Sequence, residues 1–563
     1  MKRILIIRIF LFSMMYIVAS QQLFAQGNGQ HETVNVIGTY TPQLSEARKI
    51  GFTPEIKDIT IPVPPMNYKI LSVPVTAPVD VMPVPPAKMV GETFSKLYKN
   101  HLIAGFGNYA SPLFDFRHYS YRNKKLRGEI HLNHHSASGK LKEYAYPGFS
   151  RNNVGLSGHF IRPEYTISSG ADYTREGLHY YGFLKDSLTP EFEKKDIKQV
   201  FQLFDIFFRG ESNYSRKTAF HNSFGLKYQG LWDMYDASEH NVYLNGSMRK
   251  ELQIAEFIKE EQIVVEATGG FFAQNYALQS ISTGLLGIKP YLNFRLDQLE
   301  FALGGTVSAQ LDSVGDVFFL PYGRMDIHIV PNALNIFFGI DGTAERNTFR
   351  NFIQVNPFIN TEIIPMSYTV TKNILFGGVN GGFGGKFNYR IMAKNRKVQN
   401  LPLFVNDTLP FMSDTTILTT GNRFTAVYDN VDIFTLSAEI QVAFGKKIVA
   451  ELKGSYNIFS PETQAKAWHM PRYEGVFSIT YNIADKIYGR LNAFAFGDRY
   501  ALVDNVEQKL KSVYDFNVEV EYRYSKFLSA WLRVSNLTTQ RHFLWYNYPT
   551  YRLNAMLGVC YTF

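Results

Sequence analysis

The run Tyr514-Asp515-Phe516-Asn517-Val518-Glu519-Val520-Glu521-Tyr522-Arg523-Tyr524 decides the fold. Tyr514, Phe516, Val518, Val520, Tyr522 and Tyr524 share one parity, and Asp515, Asn517, Glu519, Glu521 and Arg523 share the other. Successive side chains of a strand point to opposite faces. The run therefore has one apolar face with aromatic ends and one ionic face. A slip of one residue would exchange the faces, placing charge in lipid at ~2–4 kcal/mol for a mid-membrane Arg or Lys and less for an acid. The same alternation sets Ile448, Ala450, Leu452, Gly454 and Tyr456 against Glu451, Lys453, Ser455 and Asn457. It returns in Tyr551, Leu553, Ala555, Leu557, Val559, Tyr561 and Phe563 against Arg552, Asn554, Gly558 and Thr562.

Alternation also suits a soluble sandwich, and the connections distinguish the two. Tight turns are expected at Asn123–Leu126, Arg162–Glu164, Asp297–Gln298, Pro331–Asn332, Gly445–Lys447, Ala484–Lys486 and Ser525–Lys526. Between them lie long polar loops near 177–199, 346–372, 398–430 and 538–550. Short turns at one end and long loops at the other are the asymmetry of an outer-membrane barrel. Walking back from a last strand that ends at Phe563 gives about 22 strands. The parity closes only if Gly377–Gly385 is a hairpin between strands at about 373–382 and 386–397. The connection Glu251–Gln262 is too long for a tight reversal. The expected fold is all-β: a transmembrane antiparallel up-and-down β-barrel over residues 98–563. A ring of that size leaves a wide lumen, and transporters of that size carry a plug.

Composition agrees with this class. Of 563 residues, 15% are aromatic and only 19% are charged, against a usual charged share of about 25%. The lone cysteine, Cys560, excludes a disulfide framework and a Cys-rich metal site. A mean hydropathy of −0.15 excludes a bundle of membrane helices.

The N-terminal part reads differently. Lys2, Arg3 and Arg8, an apolar stretch from Ile9 to Ala19, and Leu23-Phe24-Ala25 follow the order of a secretory signal peptide over residues 1–25. The apolar stretch is short for a membrane span of ~20 residues. Cleavage after Ala25 would lower the net charge from +9 to +6. So small a basic balance on an exported chain is no nucleic-acid signal. Residues 26–97 form a Pro-rich extended segment: ten of the 24 prolines lie between Pro42 and Pro86, and Pro62-Val63-Pro64-Pro65 recurs as Pro83-Val84-Pro85-Pro86. Such backbone has no internal hydrogen bonds and acts as a stiff spacer or a docking strand.

Two pieces resemble TonB-dependent receptors, the energised transporters of the Gram-negative outer membrane. Val534-Ser535-Asn536-Leu537-Thr538, Tyr548-Pro549, Arg552 and the strand ending in Phe563 look like the family's two closing strands. There Leu557, Val559, Tyr561 and Phe563 look like the signal that barrel-insertion machinery reads. Glu32, Thr33, Val34, Asn35, Val36 and Ile37 resemble the TonB box, which in that family adds as a strand to the energising protein. The resemblance implies outer-membrane lipid, the insertion machinery and TonB as partners. It also breaks off: the family's plug domain exceeds a hundred residues, and only about 60 Pro-rich ones separate Ile37 from the first strand.

Catalytic and metal chemistry is not expected. His134-His135 beside Ser136, with His179 elsewhere, is the nearest approach to a rim cluster. Asp407 and Asp414 lack calcium-loop spacing. The Gly377–Gly385 run lacks the Lys-Ser/Thr of a phosphate loop. No cofactor is called for. Two functions stay open: a transporter or channel passing a substrate, and a non-transporting scaffold of an outer-membrane assembly, secretion or surface-protein complex. The lumen-facing Arg490, Asn492, Glu519, Glu521 and Arg523 carry both signs and point to no ion preference.

Overall fold

The computed structural model describes residues 98–563 apart from 121–122, 186–192, 214–219, 254–256, 277–279, 314, 408–409 and 414–415. Residues 1–25, the segment 26–97 with Glu32–Ile37, and Asp414 lie outside the described residues.

Twenty-two strands form one antiparallel sheet, each pairing with its neighbour in the chain. Asn100–Gly107 and Asn554–Thr562 pair to close it, with Leu102 opposite Tyr561 and Phe106 opposite Leu557. No backbone edge is left open, which is what a strand structure in lipid requires. The seam has a specific packing. Trp531 is register-paired with Gly558, and Gly558 with Gly105. A Cβ on either glycine would overlap the indole. One buried ring therefore lies across the last three strands to meet.

The faces follow the expected parity. Tyr514, Phe516, Val520 and Tyr522 are exposed on the outer wall, as are Leu557, Val559, Tyr561 and Phe563. The Tyr561 and Phe563 rings stack at 5.1 Å. Inside, carboxylates are matched by donors across and along the strands: Arg533 Nε donates to Glu519 at 2.7 Å, and Asn133 to Asp115 at 3.0 Å. Arg324 Nη2 donates to Asp326 at 2.8 Å. The guanidinium of Arg523 also stacks on Tyr488 at 3.7 Å.

The connections sort by end. Reversals at 162–164, 297–298, 445–447 and 484–486 fall where the sequence places them. Gly384 and Gly385, at φ +57° and +65°, turn the hairpin between Tyr368–Phe383 and Phe387–Asn406. The expected Glu251–Gln262 connection is shorter. Lys259–Asn275 begins the next strand, Glu260 takes φ +56°, and the register skips between Asn293 and Arg295. A bulge hides the strand's start from a strict period of two.

Two loops differ in length from the expectation. The 398–430 stretch is mostly strand, because Phe387–Asn406 and Phe424–Phe444 stay paired well past the apolar belt. There Leu403 and Val405 pack on Ala467 and Trp468 instead of on lipid. Conversely, Tyr551–Leu553 precede the last strand, and Asn536 holds that loop by donating to the Gln540 and Tyr551 carbonyls.

Opposite faces at one height give a test of register. Leu452 is exposed on the outer wall, and Val476 shares the inner parity of Lys453. Leu452→Arg is expected to cost ~2–4 kcal/mol of folding into lipid vesicles, and Val476→Arg under ~1 kcal/mol. Equal losses in a urea titration of the two would reverse the assignment of faces.

Candidate functional site at the loop end of the barrel

The largest apolar core among the described residues sits at the loop end. Leu178, Phe201, Leu203 and Leu231 come from neighbouring strands on one side of the ring. Phe404, Phe424 and Ala426 come from a pair far round it, and Trp545 and Tyr548 from the loop before the last strand. Phe349, Phe352, Ile353, Ile359 and Ile364, from the loop at 347–367, fill the space among them. Three separated sectors of the ring thus meet in one core, which lies across the opening. Its aromatic contacts are close: Phe358 stacks on Tyr548 at 3.7 Å, and Trp545 meets Phe404 and Phe424 at 5.6 and 5.4 Å.

A short helix, Phe349–Val355, anchors this core. Thr348 caps it, its side chain accepting from Asn351 N at 3.1 Å. Phe349, Phe352 and Ile353 fall at helical spacing on its buried face. The buried carboxylate of Glu239 then fixes the helix to the wall. It accepts from the backbone N–H of Phe349 at 2.6 Å and of Arg350 at 3.3 Å, and from Gln274 and Asn241 at 2.8 and 2.7 Å. A carboxylate on the free N–H groups of a helix start is favoured by both hydrogen bonding and the helix dipole. Arg350 pairs in turn with Asp205 on the inner wall.

A second polar knot ties the rest of the loop. Asp233 accepts from Thr361, from Gln199 at 3.0 Å, and from the backbone of Tyr235 and Ala237 at 2.9 Å. Burial pushes its carboxyl above the usual range, against these bonds. Arg423 pairs with Glu362 at 2.8 Å, and Tyr548 donates to the Asn422 carbonyl. Asn360 donates to Asp407 at 2.6 Å.

The sequence candidates are placed apart. His134 and His135 are neighbours on one strand and so face opposite ways. His134 pairs with Asn152 at 2.7 Å, whereas His135 approaches Ser111 at 3.4 Å. Both lie in the strand Leu126–Ala137, not in a rim loop. His179 meets the Gly148 carbonyl at 2.6 Å. Asp407 is occupied by Asn360. Among the described residues no group of three His, Cys, Asp or Glu is arranged to hold a metal. Reading the sequence missed the helix, Glu239 and Asp233. Thr348 ahead of Phe349, Phe352 and Ile353 was a usable helix signal; nothing local marks Glu239, because its partners come from other strands.

No family model and no curated protein matches the sequence. Solved structures do match the fold. The pyoverdine outer-membrane receptor FpvA from Pseudomonas aeruginosa is 13% identical, covering 83% of this chain and 78% of its own, with a TM-score of 0.62. The siderophore receptor PirA from Acinetobacter baumannii is 10% identical over 82% and 80%, also at 0.62. The alcaligin outer-membrane receptor FauA from Bordetella pertussis is 11% identical over 83% and 76%, at 0.55. The chain has the receptor-type barrel. The TonB-dependent-receptor likeness of the closing strands therefore extends to the whole ring.

One histidine makes the core pH-sensitive. His469 Nδ1 donates to the Phe404 carbonyl at 2.9 Å, and its ring lies 4.9 Å from Trp545. Burial, with the Arg499 cation beside it, pulls its pKa down to about 3. Between about pH 3 and 6.5 the unfolded loop binds a proton that the packed one excludes, so packing is fully stable above that window and weakens as pH falls through it. Acrylamide quenching of tryptophan is expected to rise on acidification, and to rise less in His469→Gln. Identical curves would remove His469 as the cause.

Proposed function

We propose that this chain is an outer-membrane barrel of TonB-dependent-receptor type that passes a substrate and gates it at the loop end. The observation that carries this reading is the loop core set across a ring of 22 strands. A ring of this width would leak if left open. A core held by side-chain contacts between loops, rather than by strand pairing, is a closure that can be undone. Local openings draw on the least cooperative parts of a fold, and here those are the loops. The pyoverdine, alcaligin and siderophore named for the similar receptors make a siderophore-type small molecule the first substrate class to try.

Three further parts of the reading come from the sequence. Residues 1–25 direct export and are removed. Leu557, Val559, Tyr561 and Phe563 present the insertion signal on the lipid-facing side of the closing strand. Glu32–Ile37 offers an added strand to TonB, and the Pro-rich segment 26–97 carries it as an extended spacer.

Two measurements test it. Full-length protein in a planar bilayer is expected to conduct poorly, and replacing 349–364 with a Gly-Ser linker, or removing 27–95, to raise conductance. A closed channel in both variants would overturn gating by loop or leader; stoichiometric partners in a native-membrane pull-down would then favour a scaffold. Deleting Glu32–Ile37 is expected to abolish binding to the TonB C-terminal domain, and retained binding would sink that assignment.

A further inference from the structure

At several places on the inner wall a guanidinium group has a carboxylate: Arg117 meets Asp115, Arg151 meets Glu176, Arg324 meets Asp326 and Arg533 meets Glu519. The strand Phe387–Asn406 departs from this. Ile391 is exposed on the outer wall, so Arg390, Lys394 and Arg396 share the inner parity. Their cross-strand neighbours are Asn380 and Glu439 for Arg390, Phe376 and Thr435 for Lys394, and Ile374 and Ile433 for Arg396. Of those six positions one is acidic. Glu439 is also opposite Lys453 on the next strand, and forms an ion pair with neither cation.

The three cations are only partly exposed, and the buried Nε atoms of Arg390 and Arg396 have no hydrogen-bond partner. The Phe337 ring lies between the guanidinium groups of Arg390 and Arg324, at 5.2 and 5.7 Å. Phe376 and Phe337 are themselves buried. A row of like charges set against aromatic rings and stripped of counter-charge is costly to hold. In membrane proteins such residues mark paths for solutes or ions.

We propose that this wall is a binding site for a multivalent anion, whose phosphate or carboxylate groups supply the missing counter-charge. Arg390 and Arg396 offer planar forks suited to such oxyanions, and Lys394 a point charge between them. Six residues of strand separate the outer two, about 20 Å at ~3.4 Å per residue. The row therefore follows one strand obliquely up the lumen and suits a solute moving between the two ends. The inference deepens the passage reading and takes its physiological sense from it, but binding can be measured without transport.

Purified full-length barrel titrated calorimetrically with inorganic tripolyphosphate is expected to bind. Lys394→Met should weaken binding at least about tenfold, the loss of one charge-assisted contact. Lys446→Met, in the turn that follows the neighbouring strand Phe424–Phe444 and well beyond a screening length from Lys394, removes the same charge and should leave affinity within about twofold. Equal losses would reduce the effect to net charge and overturn the site. Acylation of wild-type lysines, read by mass spectrometry, serves where a variant fails to fold. Tripolyphosphate should protect Lys394 selectively, and undiminished labelling would overturn the proposal. A barrel that binds while the loop-replaced and leader-deleted variants both stay closed would fail the passage reading alone. One that conducts without binding would fail only this inference.

Discussion

Every backbone N–H and C=O that crosses the hydrocarbon must find its partner within the protein, because lipid offers none. For strands the only complete solution is a closed ring. From that requirement follow the even strand number, the short reversals at one end and the outward apolar parity of strands such as Tyr514–Tyr524. It also dictates the seam, where Asn100–Gly107 and Asn554–Thr562 must match although they belong to opposite ends of the sequence. The seam glycines and Trp531 express that demand locally: backbone pairing is tight there because two positions give up their side chains to a third.

Satisfying the backbone in this way creates the opposite difficulty for side chains. A ring of 22 strands has no interior core in the usual sense. Its inner wall is polar and mostly charge-matched, and its main apolar packing is displaced to the loop end. Barrel rigidity and mouth closure therefore rest on different physics. The first is hydrogen bonding that cannot be given up in lipid. The second is the burial of Phe349, Phe424, Trp545 and Tyr548, with buried carboxylates at Glu239 and Asp233 setting the geometry.

The legible part of the sequence was the part governed by lipid. Parity, turns at 162–164 and 445–447, the Gly384–Gly385 hairpin and the strand number all follow from local pattern. Legibility fell off beyond the apolar belt, where lipid no longer enforces alternation. Leu403 and Val405 stayed in strands because Ala467 and Trp468 cover them, a partner that no window around residue 403 contains. The loop core is of the same kind: Phe349 and Tyr548 are about 200 residues apart, and neither run is periodic. The histidine pair differs only in its place: the sequence reads as a polar rim loop there, whereas His134 and His135 lie in the strand Leu126–Ala137 and take opposite faces.

The seam carries one more consequence. A strand-built ring acquires its closing partner only when the strand Asn554–Thr562 is available, so the first strand of the barrel waits through the whole of synthesis with an unpaired edge. No partial chain can hide that edge, and an exposed edge is an invitation to pair with the wrong neighbour. Premature folding is thus a hazard built into the topology. The pairing of Asn100–Gly107 with Asn554–Thr562 settles two edges at once, and a ring lacking either strand would leave both exposed.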